Sequence, residues 1–249
     1  MMNTIPSKSN QKIANGQPVD PRAAWKNIIR KYPLLSRIMQ FVFDPAFVTN
    51  QQRGALLEGL ATDSRVLNLG SGAKRIRVNI VNLDIEPFGN VDVVGDGQRL
   101  PFADGVFDLV LCEYVLEHIR NPLQMAREIQ RVIKPGGQLY MTVPFMQTFH
   151  GNPDDYQRYT ISGLSALFDD LETIECKPYA GPTSALCNMV KEYLAVVFSF
   201  NSKLIYSILS QLLIILVFPF KFIDYFLVRN INAHNLSFSL YFVAQKPIS

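Results

Sequence analysis

The sequence predicts an α/β fold built on a doubly wound, mostly parallel sheet. Three observations lead there. Short apolar runs recur at RVLNLG, NIVNLDI, VDVVGD, FDLVLCEYV and GQLYMTVPF, strand-length and lacking the polar alternation of a sheet with one wet face. A strongly amphipathic helix separates the last two. A glycine turn, Gly70-Ser71-Gly72, leaves the first run, bringing bare backbone to the edge where such sheets bind ligands.

Residues 1–20 are polar, carry two prolines and lack the apolar core of a secretion signal, which predicts a mobile tail. Between Pro21 and Phe43, aromatic and aliphatic residues mix with Lys26, Arg30, Lys31 and Arg37, as in amphipathic helices broken near Pro33. This helical segment, 21–60, either packs on the domain's own core or rests on a membrane surface.

The core of the fold is expected over 61–182. Only about ten residues separate its first two strands, near the lower limit for a parallel crossover. Ala73 to Val78 therefore crosses with a turn or a stub of helix, leaving the N-terminal segment to cover that face. The helix NPLQMAREIQRVI opens with Asn121 as cap and Pro122 at its first position. Leu123, Ala126, Ile129, Val132 and Ile133 share its apolar face, and Lys134-Pro135-Gly136-Gly137 ends it.

Composition narrows the partners. With 249 residues and 48% hydrophobic content the chain can bury a large core. A formal charge of +3 without a Lys/Arg run gives nucleic acid little to bind. Cys112, Cys176 and Cys187 are scattered and odd in number, as expected of buried thiols in a reducing compartment.

The chemistry is predicted at three strand tips. Asp84 ends NLDIE and Asp96 follows VVG, so in a parallel sheet both meet the glycine turn at one edge. A carboxylate at the second tip can accept two hydrogen bonds from a ribose diol. The dinucleotide fingerprint fails, because Arg75 stands where a third glycine belongs and no full helix follows to face a pyrophosphate. An adenosine ligand without phosphates fits better.

The ordered blocks VLNLGSG, NLDIE and VGDGQRLPFADGVFDLVLCEYVLEHIRNPLQMAREIQRVIKPGGQLYMTVPF, covering Val66 to Phe145, resemble the class I S-adenosylmethionine-dependent methyltransferases. The resemblance is closest to the small-molecule branch that includes quinone-ring methylating enzymes. It implies a Rossmann-like sheet whose last strand, FSLYFVAQKP within 234–249, returns antiparallel. It implies S-adenosylmethionine as cofactor. Gly70, Ser71 and Gly72 would pass its methionine part, Asp84 would hold the ribose and Ile85 would lie against adenine. Asp96 would accept from the adenine amino group beside Gly97, and Glu113 or its neighbours would close the pocket. Asn68 stands where the family usually has an acidic residue; it can hydrogen-bond but brings no charge.

After the fifth strand, MQTFHGNPDDYQRYTISGL supplies His150, Asp154, Asp155, Tyr156, Arg158 and Tyr159 on a loop of the kind that carries catalysis. His150 is a candidate general base oriented by Asp155, with Tyr156 and Arg158 on the acceptor. The competing reading has an aspartate capping a turn and His150 merely packing. The H-x-x-P-x-D-Y-x-R-Y-T element resembles methyltransferases of bacterial surface-glycan gene sets. His118 is expected to make a structural hydrogen bond, His234 has no role, and no His/Asp spacing marks a metal site.

An apolar insertion over 183–233 completes the chain. Leu204 to Phe220 carries no charge, bordering on bilayer-spanning length. The final strand must rejoin the sheet, so the chain crosses an even number of times or not at all. Pro219 with Lys191, Lys203, Lys221 and Arg229 suits a helical hairpin dipping into one leaflet. The rival arrangement buries it against the domain or an oligomeric partner. The expected function is methyl transfer to a small or lipid-linked acceptor, a glycan intermediate or a quinone, by a cytoplasmic protein peripheral on the inner membrane face. The alternatives are a non-catalytic binding or anchoring module, and an NAD-dependent enzyme using the same edge.

Overall fold

The computed structural model describes residues 50–73, 75–151 and 154–248. The tail over 1–20 and the helices expected between Pro21 and Phe43 lie outside the described residues. Helix α1 (Asn50–Glu58) precedes strands β1 (Val66–Leu69), β2 (Ile80–Asp84), β3 (Val93–Val94) and β4 (Phe107–Glu113). Helix α2 (Pro122–Val132), β5 (Ile133–Pro144), α3 (Ile161–Leu167) and β6 (Glu172–Ala180) follow. Helices α4 (Pro182–Phe198), α5 (Lys203–Val217) and α6 (Asp224–Leu227) lead to β7 (Ser239–Gln245).

The strands form one seven-stranded sheet in the order β3-β2-β1-β4-β5-β7-β6. Strands β1 to β5 pair in parallel, and β7 runs antiparallel between β5 and β6. The fold class and the return of the last strand are as expected. Order reverses between β1 and β4, which places the ligand-binding crevice at their carboxyl ends.

Alternation along the strands divides the core in two. Leu67, Leu69, Val110 and Cys112 face α2 and α3 through Met125, Ile129, Leu164 and Phe168. Val66, Leu109, Leu111 and Tyr140 face the other way, onto Leu57 of α1 and Ala185 of α4. Between β1 and β2 the described residues form only turns, so α1 supplies cover that a crossover helix would have given.

Helix α2 begins as expected, with Asn121 accepting from the Gln124 N–H at 3.4 Å. It stops one residue early, because Ile133 pairs with Phe107 as the first residue of β5. Leu123 is exposed and Met125 takes the buried position assigned to it.

Arg131 ties α2 to the loop leaving β3. It donates to the carbonyls of Phe102 and Leu100 and to Glu128, whose carboxylate accepts the Leu100 N–H at 2.7 Å. The Arg131 hydrogen bond foremost holds the Glu128 carboxyl below its ordinary value. A depressed carboxyl stabilises the fold above its unfolded pKa of about 4.3 and loses that contribution as pH falls through the lower folded value. Between about pH 5 and 3, the melting temperature of the wild type should fall more steeply than that of Glu128→Gln.

The apolar insertion is a helical hairpin, α4 leading away from β6 and α5 returning, with Pro219 breaking the second helix into a 3-10 turn. Its base is fixed by Asp224, only 2% exposed, which accepts from the Thr183 and Ser184 N–H groups at 2.8 Å each and from Ser184 Oγ at 2.6 Å. Thus α4 is capped by a residue 40 positions away. Asp224→Ala strands these donors and should lower stability by about 2–4 kcal/mol in denaturant unfolding.

Candidate active site

The glycine turn is pinned to β2. Gly70 and Ser71 N–H groups both donate to the Leu83 carbonyl, at 2.8 and 3.1 Å. Gly70 has φ +72°, and a Cβ there would sit 2.2 Å from Val115 Cγ2, just beyond β4. Gly72, at φ +58°, has open space where a Cβ would be. The backbone at the crevice is bare because side chains are barred from one glycine and absent from the other.

Asp84 is the hinge of this rim. Its Oδ2 accepts the Gly72 N–H at 2.8 Å and its Oδ1 the Glu86 N–H at 2.9 Å, while its carbonyl accepts from Gly95 at 2.9 Å beside β3. A carboxylate offers about four lone-pair sites, so acceptor capacity remains for a diol. Ile85 follows as a 56% exposed apolar side chain, the kind of surface an adenine face would cover. Asp96 is exposed and caps its own turn through the Gln98 N–H at 2.9 Å. A Cβ on Gly97 would lie 3.4 Å from Leu69 at the tip of β1 and 3.3 Å from Met125, so this loop does come back over the first strand.

Two expected cofactor residues stand differently. The Asn68 amide is buried and donates to Asn82 Oδ1 at 3.0 Å, because the β1–β2 register sets the two side by side. It is taken up inside the sheet. Glu113 pairs with Arg53 of α1 at 2.5 Å, so it fastens α1 over the end of β4, and Arg53 is a partner the sequence did not single out.

A second polar centre begins two residues beyond Val115, in the 3-10 turn Leu116–His118. Glu117 is 0% exposed, and neither carboxylate oxygen has a hydrogen-bond partner among the described residues. His118 Nε2 lies 3.8 Å and His150 Nε2 3.6 Å from Glu117 Oε1. The loop after β5 packs on this turn: Tyr156 N–H donates to the Glu117 carbonyl at 2.8 Å and Gln157 Nε2 to the Ile119 carbonyl at 3.0 Å.

Asp155 organises that loop. It takes Arg158 through both oxygens, with Nη2 to Oδ2 at 2.6 Å, accepts the His150 N–H at 3.0 Å and lies 3.3 Å from His150 Nδ1. The Arg158 hydrogen bond is the chief reason its carboxyl is pushed down to about 2. Asp155 therefore lies beside His150, holding its backbone N–H while the ring's Nδ1 makes no hydrogen bond among the described residues. Arg158, which also faces the Gln147 and Thr148 carbonyls, is the clasp of the loop rather than a free acceptor contact. Tyr156 is half exposed, its hydroxyl donating to Asp154 at 3.2 Å. His118 Nδ1 meets the Asp154 carbonyl, so its structural hydrogen bond holds the loop. Burial, then the Glu117 charge, push the Tyr159 hydroxyl up to about 12. His234 lies 2.9 Å from the Ile231 carbonyl in a local turn.

Sequence spacing marked no metal site, yet the fold draws Glu117, His118 and His150 together, their ligand atoms all within 4.8 Å. Sequence alone gives Glu117 no mark, because one carboxylate in VLEHI reads as solvated.

Comparison with known proteins agrees with this geometry. The methyltransferase domain family (Methyltransf_11) matches residues 64–141. The demethylmenaquinone methyltransferase of Mycolicibacterium vanbaalenii is 30% identical over 146 residues, 57% of this chain and 58% of that protein. Its counterpart from Corynebacterium efficiens is 31% identical over 137 residues, 49% of this chain and 58% of that one. The chain thus spans little more than half the length of these curated relatives. The solved structure of the [4+2]-cyclase SpnF superimposes with a TM-score of 0.50 at 18% identity, covering 89% of this chain and 96% of that chain; at that identity it shows the fold alone. Residues 64–141 thus carry a methyltransferase domain, consistent with S-adenosylmethionine as cofactor.

Proposed function

We propose that the chain transfers a methyl group from S-adenosylmethionine to a small or lipid-linked acceptor, a quinone-like ring or a glycan intermediate, at the cytosolic face of a membrane. The observation that carries the reading is the glycine turn bonded to Asp84 at the sheet's switch point, inside the segment the methyltransferase family matches. The quinone-like acceptor is supported by the demethylmenaquinone methyltransferases it resembles.

Bound S-adenosylmethionine supplies a methyl group already activated on a sulfonium. Gly70, Ser71 and Gly72 let its methionine part lie against backbone, Asp84 takes the ribose hydroxyls, Ile85 covers one adenine face, and Asp96 with Gly97 meets the adenine edge. The remaining work is to place the acceptor in line and remove its proton. His150, steadied by Asp155, is placed to accept that proton, with Tyr156 at the mouth.

The hairpin supports a membrane location. A helical stretch from Lys203 to Leu227, 25 residues, has only 6% of its most apolar window buried, and α4 adds exposed Leu186, Val190, Tyr193, Val196 and Phe198. So much unpartnered apolar surface marks an interface. The hairpin leaves from β6 and returns to β7, neighbours in the sheet, which suits dipping into one leaflet. The cations are fewer than expected there. Lys191 is buried on Glu192 and Ser210, and Lys221 is buried over the Phe218 ring, leaving Lys203 and Arg229 exposed.

Labelled S-adenosylmethionine incubated with the protein and a bacterial lipid extract should leave label in the lipid fraction. The wild type should co-float with anionic vesicles and Leu212→Asp/Leu216→Asp should not. S-adenosylmethionine bound but never consumed would overturn the enzyme reading, and a wild type that stays in the aqueous fraction would overturn the membrane one.

A further inference from the structure

We infer that Glu117, His118 and His150 form a binding site for one divalent first-row transition ion, of which zinc is the natural probe. The first support is the state of Glu117. A buried carboxylate without hydrogen bonds is costly unless something positive stands beside it, and both Glu117 oxygens lack a hydrogen-bond partner among the described residues. The two imidazole nitrogens at 3.6 and 3.8 Å are too far to be hydrogen bonds. Both face the same oxygen, Oε1, across a gap that a small ion would close.

The second support is how the imidazoles are held. A histidine that ligates a metal commonly turns its other nitrogen to a carboxylate or a backbone carbonyl, which fixes tautomer and ring orientation. His118 shows this arrangement, its Nδ1 meeting the Asp154 carbonyl. His150 Nδ1 is buried with Asp155 Oδ2 3.3 Å away, outside hydrogen-bond geometry and without another partner among the described residues. Each ring presents Nε2 inward, towards Glu117. The rings meet edge to face with centroids 5.1 Å apart.

The donor set is two imidazoles and one carboxylate, which suits zinc, iron(II), cobalt or nickel better than magnesium or calcium. Bonds of about 2.0–2.2 Å put neighbouring donors roughly 3–3.5 Å apart, so small side-chain rotations complete the site. Three protein ligands leave coordination positions open, and the partly exposed His118 and His150 side chains give access from outside. The ion would sit directly behind the switch point, since the ligand turn begins one residue after Val115, which packs on Gly70.

This site refines the role given to His150 above: with the ion bound, Nε2 is a ligand and not the proton acceptor. The full-length chain, stripped with a chelator, should bind one Zn²⁺ per molecule by calorimetry, and Co²⁺ should give the visible absorption of a low-coordinate nitrogen and oxygen site. Glu117→Gln and His150→Ala should each weaken Zn²⁺ binding at least 100-fold and abolish the cobalt spectrum, while S-adenosylmethionine binding persists. His150, being partly exposed, keeps the test open should Glu117→Gln fold poorly. A wild type that binds less than half an equivalent, or variants that bind as it does, would overturn the site without touching the methyl-transfer reading. Tight, ligand-dependent Zn²⁺ binding alongside no methyl transfer would uphold the site and remove the reading instead.

Discussion

Gly70→Ala should abolish S-adenosylmethionine binding. The position needs φ +72°, which costs an L side chain about 1 kcal/mol or more. The new Cβ would also lie 2.2 Å from Val115 Cγ2 and 3.2 Å from Cγ1, so either the glycine turn leaves the Leu83 carbonyl or the segment after β4 retreats. Both shifts open the crevice proposed above to take the cofactor's methionine part. Calorimetry should show at least a 100-fold loss of affinity, and denaturant unfolding a loss of about 2–4 kcal/mol, the range of overpacked sites with added backbone strain. The nearest atoms all belong to Val115, so Gly70→Ala/Val115→Ala should recover part of the stability. A single variant that binds as the wild type does would show that the turn is not the cofactor's seat.

Asp84→Ala should weaken S-adenosylmethionine binding by about 10- to 100-fold, the equivalent of about 1–3 kcal/mol for unpaired buried hydroxyls. The loss has two sources. The ribose loses its acceptor, and the Gly72 and Glu86 N–H groups lose theirs, loosening the turn on one side and the Ile85 segment on the other. Asp84→Asn separates the two, because its amide oxygen can still accept from one N–H. If the carboxylate pairs both hydroxyls, Asn should bind the cofactor poorly while melting close to the wild type. Unchanged affinity in both variants would remove the ribose assignment.

The parallel sheet and the meeting of Gly70 with Asp84 at one edge were legible in the chain. Strand periodicity and glycine turns are local properties, and a parallel sheet brings every carboxyl end to one edge. The helix at Pro122 was legible for the same reason: its cap and apolar stripe lie within eleven residues. It ends one residue before the sequence predicts, because pairing with Phe107, a partner outside the helix, decides where it stops.

What only tertiary structure decided are the fates of polar side chains. Asn68 could have faced a ligand, but register set it against Asn82. Arg158 could have held an acceptor, but Asp155 claims it. Lys191 and Lys221 could have reached lipid headgroups, and are buried instead. Glu117 and His150 are separated by a whole helix and strand, and they face each other at 3.6 Å only because the loop after β5 folds back onto the turn after β4. Hydrophobic patterning is written along the chain and survives any partner; a polar group's role depends on which donor or acceptor arrives beside it, and that is fixed only when distant segments pack.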